Sequence, residues 1–444
     1  MKKILVCLAF IIILINNKLF AQTLNIKSPA TVIKCYTAEL MSQFKLAHPN
    51  AETDAHFENW MQQKIVEKKA NRANGVTAIT IPIIFHIISK GEAIGNAANP
   101  AAATINQQLL QLNKDYANQS NSIYVVAANA GIQFVLAQKD NNGALLAEPG
   151  IDRINSTTRG WTDYNTNGWT PSYIDATIKP ASIFNPNNFY NLWVIPNITI
   201  GSTTSILLGY ATFPTASGLT GISSGETATT AGVVIRTATL GSIFSPFDCA
   251  QSFGLGKTLT HETGHFLGLR HIWGDANCAT DYCDDTPVHT TSNSGVPIHP
   301  KSNSCGTYDE MFENYMDYSD DIVVNTFTNN QVSRMQAVMT NSPRRISLAT
   351  STVGAITGSG SNKIAFENCT GVLNITEAGS NTATYPRYRD LHLTLNVENI
   401  ATGAATVTIA ATGSAVKNIQ YQLITPSVTF AAGDNYKDII VRLF

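Results

Sequence analysis

The sequence predicts an α/β layered central domain, with a polar segment before it and an all-β domain after it. Two observations indicate this organisation. Between residues 76 and 348, strands rich in β-branched residues are interleaved with amphipathic helices, which is typical of a layered α/β unit. From about residue 350, helical periodicity disappears, and short alternating segments separated by turn residues indicate a β-sandwich-like domain over 349–444.

The N-terminus predicts a signal peptide over residues 1–21. Lys2 and Lys3 precede the apolar run Ile4–Ile15, and we expect cleavage after the small residue Ala21. The run is shorter than the about 20 residues that a bilayer span requires, and no other long apolar run follows. We therefore expect export into an oxidising compartment and no membrane span in the mature chain.

Composition and charge exclude some classes of function. Of 444 residues, 44% are hydrophobic and 14% are charged, so the chain can bury a large core. The formal net charge is −2, which leaves no basic surplus for a phosphate backbone, so nucleic-acid binding is not expected. We expect a monomer.

Four cysteines cluster between residues 249 and 305, and they allow three pairings; they are Cys249, Cys278, Cys283 and Cys305.

The elements follow from local patterns. The polar segment 22–75 ends in Asn71–Gly75, which is typical of an exposed linker. A predicted strand over Val76–Ile88 and an amphipathic helix over Ile105–Tyr116 come next, whereas the Asn- and Thr-rich residues 161–173 indicate a loop. Further strands are predicted over Tyr190–Ile195, Leu207–Phe213, Gly232–Ile235, His392–Val397 and Ala405–Ala410.

One motif between residues 261 and 271 indicates a metal centre. Positions i and i+4 share a helix face, so His261 and His265 can offer imidazole nitrogens to one ion. Glu262 lies beside them, and Gly268 can end the helix and let the chain return with His271. Three neutral imidazoles leave one zinc position open, which is typical of a catalytic site. The alternative, a helix that carries these residues by chance, is disfavoured by their fixed spacing.

A second motif, Asn314–Tyr318, places the chain near a known family. A histidine motif followed by such a methionine turn resembles the metzincin clan of zinc proteases. The runs Leu208–Ala211, Leu259–Asp275 and Glu313–Asp321 resemble its pappalysin family, over about Ile79–Arg334. The resemblance implies a metzincin-type, two-subdomain α/β (α+β) zinc protease domain over 76–348, preceded by a pro-segment over 22–75.

The resemblance also implies roles residue by residue. The three histidines match the zinc ligands, and Glu262 matches the general base and acid. Met316 matches the methionine beneath the metal, although an ordinary core methionine would pack in the same way. Tyr318 matches the tyrosine that stabilises the tetrahedral intermediate, with a surface tyrosine as the alternative.

Substrate contacts are implied in two places. Gly209, Tyr210 and Ala211 belong to the strand against which an extended peptide is expected to lie, by resemblance and by strand propensity. Relatives that favour basic side chains have an acid in the primed-side pocket. Asp320 or Asp321 is assigned to that place, and two solvated surface charges are the alternative.

Latency and processing are implied by residues of the pro-segment. Relatives cap the zinc with a pro-segment cysteine, and Cys35 is expected to do so here as a thiolate. A spare thiol is the alternative. Basic residues between Lys64 and Arg72 favour processing, and Arg72 is the expected cleavage point because an exposed linker follows it.

Acidic residues crowd together after the zinc motif. Asp275, Asp281, Asp284 and Asp285 offer the hard oxygen ligands that suit calcium. Calcium sites in relatives imply Asp281 and Thr286 as ligands, and a solvated acidic loop is the alternative.

The chain departs from the family in its cysteines and its C-terminus. Some relatives have a cysteine soon after the methionine turn, where this chain has two valines. We expect Cys278 to pair with Cys305, which leaves Cys249 with Cys283. The end of the chain resembles part of a Calx-beta-like sandwich, and we expect it to be a fragment of a longer protein.

The expected function is a secreted zinc-dependent endopeptidase that acts on proteins or peptides and is made as a zymogen. The alternative is a non-catalytic secreted adhesion or binding protein that retains a metalloprotease fold. Loss of the glutamate or of a histidine ligand would favour that alternative, and all four residues are present. A metal-dependent esterase or deacetylase is a third hypothesis, although such enzymes use other ligand arrangements.

Overall fold

A computed structural model describes most of the chain: residues 31–70, 79–201, 205–219, 221–223, 225–242, 245–246, 252–354, 364–366, 389–397, 404–411, 416–431 and 436–443. The predicted signal peptide, the predicted cleavage point at Arg72 and Cys249 lie outside these residues. The domain boundary at residue 76 also lies outside them and stays a prediction. None of the helices in the ranges above has the length and apolar character needed to cross a bilayer.

A seven-stranded sheet forms the centre of the α/β unit. Its hydrogen-bonded order is β1-β6-β7-β5-β2-β3, and β4 also pairs with β2. Neighbouring strands are parallel except for β6 and β7. The strands are β1 (Thr31–Cys35), β2 (Ile79–Ser89), β3 (Ile132–Leu136), β4 (Ile151–Asn155), β5 (Tyr190–Ile195), β6 (Ser205–Ala211) and β7 (Val233–Arg236).

Helices cover both faces of this sheet. One face packs against α3, α7 and α8, and the other packs against the short helices around residues 164–182. The helices are α1 (Thr37–Ala47), α2 (Asp54–Ala70), α3 (Ala102–Tyr116), α4 (Tyr164–Asn167), α5 (Pro171–Tyr173), α6 (Lys179–Ser182), α7 (Lys257–Phe266), α8 (Asn329–Asn341) and α9 (Arg345–Ala349). A π-helical turn over Ile174–Ile178 joins α5 to α6, and Thr237–Thr239 form a 3₁₀ turn.

The apolar runs explain why the central strands form. β2 is buried from Ile81 to Ser89, because both faces of a mostly parallel sheet are covered by helices. The predicted strand at β5 is confirmed with its bounds, and the predicted helix at α3 begins three residues earlier than expected. The loop expected over 161–173 is partly wrong. Side chains of Asp163 and Thr170 cap two short helices there, and Trp169 is buried between them.

The C-terminal part consists of strands alone within the described residues. β11 lies between β10 and β15, and β13 extends the same sheet, whereas β12 pairs with β14. Leu395, Phe430 and Ile439 come from both sheets and share one buried cluster, so the expected sandwich-like packing is confirmed. The C-terminal strands are β10 (Ile364–Phe366), β11 (Arg389–Val397), β12 (Ala405–Thr408), β13 (Tyr421–Leu423), β14 (Ser427–Phe430) and β15 (Tyr436–Leu443). Two shorter strands, β8 (Gly241–Ser242) and β9 (Ser245–Pro246), pair with each other before α7.

The cysteines follow the prediction in one pair only. Cys278 and Cys305 form a disulfide with Cα atoms 5.5 Å apart, as expected. Cys283 is a buried free thiol, so the structure does not form its expected bond with Cys249, which itself lies outside the described residues. The amide of Cys283 donates to the Asp281 carboxylate at 3.0 Å, and its side chain is 6% exposed.

Candidate active site

Three histidines converge at the end of α7. The helix places His261 and His265 one turn apart, and Gly268, with φ +86°, lets the chain turn back to bring His271 to them. Nε2 of His265 lies 3.2 Å from Nε2 of His261 and 3.1 Å from Nε2 of His271. The Cys35 thiol completes a buried group whose donor atoms lie within 4.8 Å of one another. Elsewhere in the described ranges, no other His, Cys, Asp or Glu side chains gather in this way.

The second nitrogen of each ring fixes where its proton lies. Each Nδ1 faces a hydrogen-bond acceptor, so each ring carries its proton on Nδ1 and directs the Nε2 lone pair at the common centre. Burial lowers the pKa of His261 well below its usual value and that of His265 to about 3, which keeps both rings neutral. For His261, His265 and His271 in turn, the acceptors are the Tyr315 carbonyl at 2.7 Å, the Leu269 carbonyl at 2.8 Å and the Asp275 carboxylate.

Glu262 lies beside this centre and is held by the N-terminal segment. Its Oε2 accepts hydrogen bonds from Thr37 Oγ1 at 3.0 Å and from Cys35 Sγ at 3.4 Å. Its Oε1 is buried, with no hydrogen-bond partner in the described part of the chain. Burial raises the pKa of Glu262 to about 8, and burial together with the Glu262 charge raises the pKa of the Cys35 thiol.

Met316 and Tyr318 both reach the centre. A Cβ atom added at Gly264 would come within 2.5 Å of Met316 Sδ, so this methionine packs directly against α7 below the histidines. The Tyr318 hydroxyl lies 3.2 Å from Nε2 of His271 and 3.5 Å from the Cys35 carbonyl oxygen. The Tyr318 hydroxyl thus lies between the third histidine and the N-terminal segment.

The N-terminal segment pairs with β6, the strand predicted to bind an extended substrate. β1 pairs with β6 in parallel, with Cys35 opposite Gly209. The amide of Ala211 donates to Thr37 Oγ1 at 2.9 Å. The main chain of Gly209 and Ala211 therefore lies at the site, whereas the Tyr210 side chain is buried in the opposite layer, where its hydroxyl donates to a carboxylate.

Lys34 is buried within range of the charges of Asp320 and Asp321, the two acids predicted to bind a basic side chain. Lys34 Nζ donates to the Ser319 carbonyl at 2.7 Å. Burial lowers the pKa of Lys34, and among nearby charges the carboxylate of Asp321 opposes this shift most strongly. Asp321 is buried, and its Oδ2 accepts from two main-chain amides at the start of α7, while its Oδ1 has no partner in the described ranges. Asp320 is only partly buried.

The four acids expected as a cluster are separated in the structure. Asp275 accepts from one of the histidines, Asp285 accepts from the first turn of α8, and Asp284 is exposed. Thr286 Oγ1 donates to Asp281 Oδ1 at 2.9 Å, and the buried Oδ2 of Asp281 lacks a partner among the residues described. Calcium at Asp281 and Thr286 therefore stays a prediction.

Sequence reasoning missed several residues that hold the site together. Thr37 contacts Glu262, and Lys34 contacts the Ser319 carbonyl, each across more than 200 residues of chain; their position beside Cys35 was the available signal. Trp273 stacks on the His271 ring with centroids 4.3 Å apart. Asp115 is a further support, because it accepts hydrogen bonds from Lys257, Thr260 and Tyr315 and so joins α3, α7 and the methionine turn.

Comparisons with known proteins agree with this geometry. Residues 173–340 match the family model described as Pregnancy-associated plasma protein-A. An extracellular metalloprotease of Pyricularia oryzae is 32% identical over 265 residues, which cover 59% of this chain and 75% of the relative. One from Trichophyton verrucosum is 30% identical over 269 residues, covering 60% of this chain and 80% of the relative.

Solved structures of mirolysin and its precursor are also similar to this chain. Mature mirolysin of Tannerella forsythia, in complex with a cleaved peptide, is 31% identical, with a TM-score of 0.50, and the match covers 62% of this chain and 96% of that chain. A promirolysin mutant from the same organism is 29% identical, with a TM-score of 0.54 and coverages of 71% and 97%.

Fold and site together define a metalloprotease of the metzincin type, with an N-terminal segment lying across its cleft. The chain belongs to the pappalysin family, and both the family and the fold expected from the sequence are confirmed.

Proposed function

We propose that this chain is an exported, zinc-dependent endopeptidase that hydrolyses peptide bonds in proteins and is made as a zymogen. The observation that carries the proposal is the convergence of three imidazole Nε2 atoms beside the Glu262 carboxyl group. Three lone pairs directed at one point repel each other unless a cation lies between them. Because the protein is a metalloprotease, we infer that this cation takes part in peptide-bond hydrolysis.

Zinc fits the donor set and its spacing. Two nitrogens about 2.1 Å from one tetrahedral zinc lie about 3.4 Å apart, and the observed Nε2 separations of 3.1 and 3.2 Å are close to this value. Imidazole and thiolate are both favoured zinc ligands. His261, His265 and His271 would hold the ion, and Cys35 would take the fourth position in the precursor.

The chain's own residues position the reaction. A bound zinc ion supplies Lewis-acid polarisation and lowers the pKa of a water in its coordination sphere. Glu262 takes a proton from the attacking water and passes it to the leaving amine nitrogen. The main chain of Gly209 and Ala211 holds the substrate extended, as an added strand. The Tyr318 hydroxyl donates to the carbonyl oxygen as negative charge develops there.

We propose that residues 22–75 form the pro-segment. Three of its contacts would keep the precursor inactive. β1 fills the edge of β6 where a substrate would lie. The Cys35 thiol occupies the open side of the metal centre. Thr37 engages the carboxylate that would otherwise act as the base. Together these contacts exclude both substrate and water, so activity requires that the pro-segment leave, with Arg72 as the proposed point of cleavage.

The proposed substrate preference is for a basic side chain on the primed side. Lys34 supports this preference because its buried cationic side chain already interacts with the Asp321 charge in the precursor. Asp321 is the better candidate of the acidic pair, since it is buried and one of its oxygens lacks a partner within the described ranges. Asp320, which is partly solvated, contributes at most to the rim of the pocket.

Export and a calcium site complete the proposal. The relatives named above are extracellular, and the Cys278–Cys305 disulfide fits an oxidising compartment. We propose that calcium binds beside Asp281, whose unpartnered Oδ2 is buried, and Thr286.

Casein hydrolysis by processed protein, with and without a zinc chelator, tests the proposal. We expect cleavage that the chelator abolishes and added zinc restores. Glu262→Ala should keep stoichiometric zinc and lose turnover, because it removes the base and none of the proposed ligands. Processed protein that cuts no peptide pool, or that cuts equally well after zinc removal, would contradict the proposal.

A further inference from the structure

Two arginines of the catalytic unit bind one carboxylate of the N-terminal segment. Arg334 on α8 donates from both terminal nitrogens to Glu58, at 2.6 and 3.0 Å. Arg270 donates from Nε to the same carboxylate at 2.7 Å. Glu58 and Arg334 are 5% and 1% exposed, so this contact is buried. Such paired, bidentate geometry is the arrangement by which guanidinium groups recognise carboxylates.

No carboxylate of the catalytic unit forms an ion pair with these arginines in the described ranges, and only the longer-range charges of Asp275 and Asp281 act on Arg270 and Arg334. Arg270 has one further acidic partner, Asp54, which also belongs to the N-terminal segment. Arg334 otherwise donates to the Gly268 carbonyl, and its Nε is buried without a described partner. Departure of the segment therefore leaves two adjacent guanidinium groups that have lost every carboxylate in direct contact with them, which favours a replacement carboxylate.

Apolar residues around the arginines define the rest of the ligand. Phe57, Trp60 and Met61 lie on the same helix as Glu58, at positions i−1, i+2 and i+3. They pack against a surface of the catalytic unit that flanks the two arginines; it comprises Phe213, Ala216, Leu219, Ala337 and Val338. The ring of Phe213 also lies 5.5 Å from the Arg270 guanidinium carbon.

This surface continues into the metal cleft. Arg270 immediately precedes His271 in sequence and lines the same cavity as His265, His271 and Tyr318. A polypeptide whose scissile bond lies at the histidines can therefore reach the arginines with another part of its chain. The contact is separate from the Cys35 centre, since none of its side chains touches the converging histidine nitrogens.

We propose that Arg270 and Arg334, with the apolar surface beside them, form a second binding site that the mature enzyme uses for protein substrates. The ligand is an acidic side chain carried on an amphipathic helix, flanked by large apolar residues. In the precursor the pro-segment fills this site with Glu58. The substrate role rests on the proposed protease function, whereas the carboxylate site itself does not.

Binding of α2 peptides to processed, pro-segment-free enzyme tests the site. The probe is a fluorescent peptide of residues 54–70, followed by anisotropy and checked for intactness by mass spectrometry. Glu58→Gln in the peptide should weaken binding at least about tenfold, because it breaks a buried charge pair. Glu67→Gln is the matched control and should change affinity less than about twofold, since Glu67 pairs only with Lys64 of the same helix. Equal affinities for the two variants, or no binding of the unmodified peptide, would overturn the site.

A double-mutant cycle separates the contact from a folding defect. Arg334→Met enzyme should bind the unmodified peptide at least about tenfold more weakly, and the Glu58→Gln peptide should then bring little further loss. Independent, additive losses would overturn the pairing. For the substrate role, the unmodified peptide should raise the apparent KM for casein more than the Glu58→Gln peptide at equal concentration. Equal effects would overturn that role, and because anisotropy needs no turnover, its result stands whether or not the protein is a protease.

Discussion

Thr37 offers the sharpest test of how the pro-segment silences the enzyme. Its hydroxyl donates to Glu262 Oε2 at 3.0 Å and accepts from the Ala211 amide at 2.9 Å, so it joins the proposed base to the substrate strand. Thr37→Val keeps the shape of the side chain and removes both hydrogen bonds. Under the proposed cleavage at Arg72 the mature enzyme would lack this residue, so the change would act on the precursor alone.

The size of the effect follows from the two bonds lost. A neutral hydrogen bond contributes about 0.5–1.5 kcal/mol net, and one to a charged group contributes about 1.5–3 kcal/mol. The closed precursor should therefore be destabilised by about 2–4.5 kcal/mol relative to open forms. Since about 1.4 kcal/mol corresponds to a factor of ten, the open fraction should rise by a factor between about 30 and about 1,500.

The assay is hydrolysis of a short fluorogenic peptide by uncut precursor, with processing blocked by Arg72→Ala. We expect Thr37→Val to raise basal activity about 30-fold or more. Thr31→Val is the matched control, because it makes the same replacement at an exposed position of β1 and should leave basal activity unchanged. A Thr37→Val precursor as silent as the wild type, or an equal rise in both variants, would refute the reasoning.

Four further predictions concern the metal centre, the pocket and the acidic loop. Gly209→Ala places a Cβ 2.9 Å from Glu262 Cγ and 2.9 Å from the main-chain oxygen of Val234. Zinc content should persist while kcat/KM falls about 100-fold, and a normal kcat/KM would contradict the packing. Cys35→Ala should shorten the lag before activation, and an unchanged lag would dismiss the thiol cap. Asp321→Asn should remove any preference for Lys and Arg in peptide-library cleavage, so an intact preference would place the pocket elsewhere. Calcium removal should lower the melting temperature of the wild type but not of Asp281→Ala, and no shift in either would reject the site.

The local patterns predicted most of the framework. β5 is buried throughout and apolar at every position except Asn191, and a buried strand in a mostly parallel sheet requires such a run. The spacing of His261 and His265 needs only helical geometry to bring their nitrogens together, and Gly268 supplies the turn that returns His271. These features depend on residues close together in sequence, which is why they are legible without a structure.

The parts that could not be predicted depend on distant contacts. Nothing local to Glu58 shows that it will meet Arg334, which is 276 residues away. The crowded acids after α7 were expected to gather, but Asp285 instead accepts hydrogen bonds from Thr328 and Asn330 at the start of α8. Proximity along the chain was therefore a poor guide to which side chains share a site.

The central claim is that one zinc ion lies between His261, His265 and His271. Anomalous diffraction at the zinc edge, on crystals of the processed protein, tests it most directly. The account predicts one strong peak about 2.1 Å from each of the three Nε2 atoms, within reach of Glu262 but not bound to it. No peak at that point in crystals of enzyme active on casein, or a peak bound by other side chains, would contradict it.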